Sequence, residues 1–460
     1  MGNMLGLLIT IIAIVVLVLL IKKKVSPAVI FLMLGLALNL YLVVATDYTP
    51  MGDDTSGNRF LDIIANIGTK FKSELNGAGS NIMVVAGFAT LMQYIGASTK
   101  LANSITKPLL KLNKPYVILA LLYIVGTILK LMITSHTGLA LLLMTTFYPV
   151  LIKLGVSRLS AASAVVLGGA IDWGVNDGAV IFGAETILGM PVAEYFINHQ
   201  FVPATAAIIT TAIVLGIVHK NRDSKLKAEH IEDVNIDVDP AEEEKVNTLP
   251  SIYAFLPAMP LVLVLLFQFI PGVSLDVFTA NVIGIMLTLL FEIIHHSEDR
   301  MAVVGDRLKV QFKAMGDSFA NVVALIASAS YFSTALIALG GINVIADAIT
   351  SLKGAQLITI VAFSILTFVG VIVLGSGNAT WYAFAPLASD LATNVGLKPL
   401  QVAVPMQLGA SIGRGLSPVA GAMIAVSGLA EVKIEDLIKV NLIPVVCGFI
   451  AMVITSIIFL

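Results

Sequence analysis

Charge is what this chain has least of. Only 12% of its 460 residues are Asp, Glu, Lys or Arg, against roughly 25% in a soluble domain. That deficit excludes a water-soluble globular protein. The formal net charge of −2 names no partner and argues against nucleic acid. One cysteine, Cys447, leaves no partner for an intrachain disulfide, and its place in an apolar run reads as a small core residue. Also missing are spaced metal ligands, a GxSxG elbow and a phosphate loop of the GxxxxGK type. No enzyme activity is expected, and an ATP-driven pump has no motif to support it.

Apolar residues fill the space that charge leaves, at 58% of the chain. Runs of about 18 or more apolar residues are long enough to cross roughly 30 Å of hydrocarbon as helices. They fall at 5–21, 26–45, 80–98, 160–190, 200–218, 251–270, 275–294, 317–339, 399–428 and 440–460. Two longer apolar segments, 115–155 and 356–395, are each interrupted by a small polar cluster and read as hairpins, re-entrant or fully crossing. The first run has no preceding positive charge and is followed by Lys22, Lys23 and Lys24. That is the reverse of a signal peptide, so a retained first span is expected. The mixed segments 59–75, 100–114 and 341–354 suit helices lying in the headgroup layer.

Basic residues orient the map. With each hairpin counted as no net crossing, alternation places Arg59, Lys70, Lys72, Lys353 and Lys398 on one side. Lys130 and Arg414 lie within the membrane, and the rest of the 27 basic residues share the other side. Positive loops stay in the cytoplasm, so both termini are expected outside an inner membrane, with the polar stretch 220–250 as a cytoplasmic linker.

That linker divides two similar halves, 1–219 and 251–460. Each runs span, span, span, hairpin, interrupted span, span. Residues 135–178 overlay 376–419 without a gap, matching Ser135 with Ser376, Gly155 with Gly396, Leu167 with Leu408, Gly168 with Gly409 and Gly174 with Gly415. Five crossings per half invert the second copy. Inverted repeats with broken helices at mid-membrane are a recurring architecture of secondary transporters. The expected fold is therefore all-α: two inverted repeats, each with a hairpin and an interrupted helix.

Four polar clusters break the apolar pattern: Thr134–Gly138, Gly168–Gly178, Gly375–Thr380 and Gly409–Pro418. Glycine and proline release backbone groups from helical bonding. At that depth this is tolerated only where protein or a watery cavity satisfies them. One such cluster reads as close helix packing; four paired by symmetry read as a central substrate site. Its candidate ligands are Ser135, His136, Thr137, Gly138, Asn176, Ser376, Gly377, Asn378, Ala379, Thr380, Arg414 and Ser417. Arg414 stands between two glycines, and its planar fork suits a carboxylate; its other reading is a partner for an aspartate. Asp172 and Asp177 either bind a coupling proton or sodium ion or pair with Arg414. His136 is a proton carrier or a satisfied buried histidine. Lys130 reads as a snorkelling residue, and Trp173 fills space or touches substrate.

The block GNATWYAFAPLASDLATNVGLKPLQVAVPMQLGASIGRGLSPVAGAMIAVSGLAEV at 377–432 resembles the DcuC family of anaerobic four-carbon dicarboxylate carriers. So do GFATLMQYIGA at 87–97, KPL at 107–109 and SHTGLALLLMTTFYPVLIKLGVSR at 135–158. The resemblance implies a superfamily of ion transporters with two inverted repeats, an elevator-like movement, a homodimer, and no cofactor beyond a coupling sodium ion or proton. In that superfamily's divalent-anion/sodium symporters, Ser-Asn-Thr triplets at two hairpin tips hold carboxylate and sodium. They fall here on Ser135-His136-Thr137 and Ser376-Gly377-Asn378, and both depart from the triplet. Where DcuC-like carriers tend to a Pro-Thr-Ser-Gly-Asp-like stretch, this chain has Trp173 to Gly178, with Asp172 as an extra negative charge. The expected function is exchange or export of dicarboxylates such as succinate, fumarate, malate and aspartate. An amino-acid carrier of the same superfamily is the alternative, because the aspartates suit an ammonium group. An ion channel is the alternative from another class.

Overall fold

The structure, a computed structural model, describes the chain except residues 1, 24, 110, 111, 113, 227–248, 269, 271, 272, 274, 297, 298, 342, 343 and 345–353. The described residues form helices and no strand, as a chain must when no water is present to satisfy an open sheet edge. In order they are α1 (Gly2–Lys22), α2 (Pro27–Ala45), α3 (Arg59–Glu74), α4 (Ser80–Tyr94), α5 (Ala97–Leu109), α6 (Pro115–Leu129) and α7 (His136–Thr146). Next come α8 (Tyr148–Lys153), α9 (Arg158–Gly168), α10 (Gly178–Ile181), α11 (Val192–Glu194), α12 (Phe201–Leu226), α13 (Met259–Phe267) and α14 (Val277–His295). The last are α15 (Arg300–Ser318), α16 (Ala324–Ala338), α17 (Ala355–Leu374), α18 (Gly377–Asn394), α19 (Pro399–Ile412), α20 (Gly421–Leu429) and α21 (Ile434–Phe459). By length and composition, nine helical runs among the described residues are long and apolar enough to cross a membrane.

Several expected boundaries move. Residues 59–74 form α3, as a separate amphipathic segment would, and a kinked turn leads from it into α4. A π-helical turn at Leu75–Gly79 joins α3 to α4, so one run extends from Arg59 to Tyr94. Gly77 leaves helical geometry inside that turn, with φ −92° and ψ −126°, so the run is kinked there. Another π turn, Phe319–Val323, joins α15 to α16 and extends the span expected at 317–339 back to Arg300. The expected linker begins as helix, because α12 continues to Leu226. Its remainder to residue 248, and nearly all of the surface helix expected at 341–354, lie outside the described residues.

Packing follows small residues. α12 lies along α21, α16 along α2, and α19 against both α17 and α18. On α12 the buried face carries Ala204, Ala207, Ala212 and Leu215, while Ile209, Ile213 and Ile217 form an exposed stripe one helical turn apart. Ile443, Ile450 and Ile454 do the same on α21. Outward branched aliphatics with inward alanines is the membrane pattern, where close backbone approach replaces the hydrophobic drive of water. At Gly448 of α21 an added Cβ would strike Thr211 of α12, so the approach needs glycine there.

Both segments expected as hairpins turn at their polar clusters, α6 to α7 and α17 to α18. Both spans expected as interrupted are broken: α9 stops at Gly168 with no helix until Gly178, and α19 passes through a 3-10 turn at Gly413–Leu416 before α20 begins.

Candidate functional site

The two breaks meet, and four ionisable side chains lie between them. Lys130 caps the C-terminus of α6, and its ammonium donates to the Thr134 carbonyl at 2.7 Å within the hairpin turn. A cation at a helix C-terminus is the favourable sign for the helix dipole. The same ammonium lies 2.9 Å from Asp172 Oδ1 and 2.6 Å from Asp177 Oδ2. Asp177 caps the N-terminus of α10, accepting from the Ala179 amide at 2.9 Å, which is again the favourable sign. Asp172 turns its other oxygen, Oδ2, to the Arg414 guanidinium. The order is Asp177–Lys130–Asp172–Arg414. Every member is at least nine-tenths buried.

Two cations and two anions cancel. Buried ions require such pairing, since each alone costs several kcal/mol to desolvate. The backbone around Asp172 is held as firmly as its side chain. Its carbonyl accepts from Gln200 Nε2 at 3.1 Å and from Gln407 Nε2 at 2.9 Å. The two glutamines join at 2.8 Å, and Gln200 Oε1 takes the Gly174 amide at 3.1 Å. Two freed backbone groups of the first break, the Asp172 carbonyl and the Gly174 amide, are thereby accounted for by side chains from elsewhere in the chain.

Both hairpin tips border this cluster. In the first, Ser135 caps α7 by accepting the Gly138 amide at 3.1 Å. The His136 ring packs on Gly169, and its Nε2 lies 2.9 Å from the Val166 carbonyl, which can only accept, so that nitrogen carries hydrogen. Thr137 faces Gly421 at the start of α20. In the second tip, Ser376 caps α18 by accepting the Ala379 amide at 3.2 Å. Gly377 rests on the second break: a Cβ there would sit 2.6 Å from Arg414 Nε and 2.7 Å from the Ala410 carbonyl. Only glycine lets the tip approach that closely.

The remaining candidates divide. Asn378 Oδ1 and Arg414 Nε are buried and have no hydrogen-bond partner among the described residues. Thr380 and Ser417 spend their hydroxyls on backbone carbonyls of Ser376, at 2.8 Å, and Ile372, at 2.9 Å. Ala379 is buried against the tip. Asn176 faces away from the charges, accepting from Asn281 of α14 at 3.3 Å. Trp173 lies behind the break, bonding the Thr127 carbonyl at 2.8 Å and packing on Phe196 and Phe201, so it fills space.

Two readings of the sequence change. Lys130 does not snorkel; its side chain is fully buried and joins both aspartates. Arg414 takes the partner that was its second reading, Asp172. A signal for Lys130 did exist, since it is the only other basic residue within an expected span and stands four residues before the first tip. Gln200 and Gln407 gave none, because an isolated amide in an apolar run is compatible with many roles.

Comparisons with known proteins bear on the family and the fold. The profile of one family, described as the C4-dicarboxylate anaerobic carrier DcuC, matches residues 5–460. The chain is 31% identical over 407 residues to the anaerobic C4-dicarboxylate transporter DcuC of Escherichia coli K12, covering 88% of this chain and 86% of that one. It is 28% identical over 441 residues to a probable anaerobic C4-dicarboxylate transporter DcuC of Vibrio cholerae, covering 94% and 93%. Among solved structures, the YdaH transporter of Alcanivorax borkumensis superposes with a TM-score of 0.66 at 16% identity, over 94% of this chain and 98% of that one. MtrF of Neisseria gonorrhoeae superposes at 0.54 with 14% identity, over 95% of each. The fold is that of membrane transporters, the relatives are transporters rather than enzymes, and this multi-pass chain belongs to the DcuC family.

Proposed function

We propose that this protein is a secondary transporter of four-carbon dicarboxylates in a bacterial inner membrane, exchanging succinate, fumarate, malate or aspartate or exporting succinate. The observation that carries this reading is the neutral chain Asp177–Lys130–Asp172–Arg414 between the two tips. Its cations suit carboxylates, and its anions make their availability conditional. A dicarboxylate that takes Arg414 must displace Asp172 from it. Protonating Asp172 and Asp177, or giving each a sodium ion, leaves two positive charges for two carboxylates. One carboxylate then engages the guanidinium as a bidentate pair, and the other lies toward Lys130. Asn378 and the hydroxyls of Ser135, Thr137 and Ser376 supply neutral contacts that bind and release.

Exchange is the simplest use of such a site, because one dianion replaces another and the cluster stays balanced. Net export requires the aspartates to take up and release cations in step with the dianion. An elevator-like movement of the tips and breaks against the other spans, in a homodimer with both termini outside, completes the reading. An amino-acid carrier is less well supported, since both aspartates already have cationic partners.

Proteoliposomes loaded with unlabelled succinate and given labelled succinate, aspartate or arginine test this. Saturable succinate uptake, accelerated by the internal succinate, is expected. Arginine uptake without succinate uptake would overturn the substrate class, and non-saturable flux without counterflow would indicate a channel.

A further inference from the structure

A second polar chain, separate from the four charges, runs from the end of α12 to the second break. Asp223 and Arg222 mark its outer end, where Arg222 is partly exposed and bonds Asp223 Oδ1 at 3.1 Å. Asp223 Oδ2 accepts from Tyr116 of α6 at 3.0 Å and from the Ser157 amide at 3.1 Å. Its Oδ1 also receives the Ser157 hydroxyl at 2.8 Å and lies 3.0 Å from Ser160 Oγ. Ser160 Oγ is 2.8 Å from His219 Nδ1, and His219 Nε2 is 2.9 Å from Ser163 Oγ. Ser163 meets Asn441 Oδ1 at 2.5 Å, and Asn441 Nδ2 donates at 2.9 Å to the carbonyl of Gly415, the residue after Arg414. Ser160, Ser163, His219 and Asn441 are all buried.

The donors in this chain are fixed from its inner end. The Gly415 carbonyl only accepts, so the Asn441 amide group points to it and Oδ1 faces Ser163. The Ser163 hydroxyl therefore donates to Asn441, which leaves its oxygen to accept from His219 Nε2–H. Nδ1 is the nitrogen free to gain or lose a proton. When it is bare, the Ser160 hydroxyl donates to it. When it carries hydrogen it donates to Ser160 Oγ, and that hydroxyl turns to Asp223 Oδ1. Both states leave every donor with an acceptor. A proton arriving on Asp223 passes to Ser160 Oγ as the Ser160 proton passes to Nδ1, giving imidazolium, hydroxyl and carboxylate with atoms and charge conserved.

We propose that His219 is a positioning residue whose protonation, supplied through Asp223 and Ser160 from the surface where α12 ends, sets how firmly the break beside Arg414 is held. Imidazolium is the stronger donor, and polarised hydrogen bonds reinforce one another along a chain. Protonation therefore tightens Ser163, Asn441 and the Gly415 carbonyl in turn. The charged and titratable groups around this end are Asp223 and Arg222 on α12, Tyr116 on α6, Arg158 on α9, which is paired with Glu431 at 2.9 Å, and Asp436 with Lys439 on α21, paired at 2.9 Å. Only Asp223 reaches His219 through a single hydroxyl.

This inference rests on the dicarboxylate reading, and its test separates the two. Succinate self-exchange is measured in proteoliposomes at equal pH on both faces, from about pH 3.5 to 8 and at equal concentrations of the dianion, so that neither a proton gradient nor the substrate's own titration acts. The wild-type rate should show a step across this range. His219→Gln should reduce that step to less than about twofold, and Asp223→Asn should move its midpoint down by about one pH unit through loss of the anion. A pH-independent wild-type rate, or a step retained in the glutamine variant, would overturn the proposal and leave the function standing. If the glutamine variant does not fold, Ser160→Ala removes one hydroxyl and should lower the midpoint in the same direction; an unmoved midpoint overturns it. Absence of succinate exchange in wild type at every pH would remove the function and this inference with it.

Discussion

Arg414 has two claims on it, Asp172 in the structure and a carboxylate in the proposed cycle, and mutation separates them. Replacing Arg414 with Ala leaves Asp172 with Lys130 alone, 2.9 Å away, while Lys130 also serves Asp177 at 2.6 Å. One buried negative charge is then uncompensated. Removing a partner from a buried ion pair costs about 3–5 kcal/mol, so Arg414→Ala should unfold at markedly lower temperature in detergent. A second change, Asp172→Asn, restores neutrality and should recover most of that stability. Affinity should behave differently. A charge-assisted bidentate pair contributes about 1.5–3 kcal/mol, or roughly 10- to 150-fold in Kd. The double variant should therefore remain at least about tenfold weaker for succinate, measured by labelled-substrate binding to purified protein. Arg414→Lys keeps the charge and loses the fork, so its affinity should be nearly as poor as that of the alanine variant. If the double variant regains wild-type affinity, Arg414 serves only Asp172 and does not bind substrate.

Other expectations follow from single contacts. Gly377→Val should push the second tip off Arg414 and abolish succinate exchange with little loss of expression, because a Cβ would already sit 2.6 Å from Nε; exchange above about half of wild type would show that the tip does not rest there. Asp177→Asn should flatten the pH or sodium dependence of net succinate export while sparing self-exchange in part; an unchanged dependence would leave Asp177 as a helix cap and partner of Lys130. In a Cys447→Ser background, a cysteine at exposed Ser224 should resist an impermeant maleimide in intact cells; ready labelling would reverse the proposed orientation.

Hydropathy and glycine placement made the helices and their breaks legible. Gly168-Gly169 and Gly413-Arg414-Gly415 stop helices in sequence and in structure, because helical bonding cannot be sustained through them at low cost. Joined helices were harder to foresee. Charges at Arg59, Lys70 and Lys72 mark a surface segment, and nothing in the sequence shows that a turn kinked at Gly77 leads it directly into α4. Within the site, Asp172, Asp177 and Arg414 stood out because ions are rare at depth. Which of them pair is a matter of three dimensions, and Lys130 could be assigned only once the turn at Thr134 brought it back over both carboxylates. The chain through His219 left still less trace. Its members come from α9, α12 and α21, and each alone is an ordinary small polar residue in a helix.

The cancellation of charge among Asp177, Lys130, Asp172 and Arg414 also bears on how the carrier responds to voltage. Moving one elementary charge through 100 mV takes about 2.3 kcal/mol, enough to change a rate nearly fiftyfold. In the proposed elevator-like cycle, an empty site of two cations and two anions crosses the field without electrical work, so its return is indifferent to membrane potential. In the proposed cycle a dianion accompanied by two protons is equally silent, and exchange is then independent of membrane potential. Adding a third cation, or loading with only one, makes the loaded step electrogenic and lets the potential drive it in one direction.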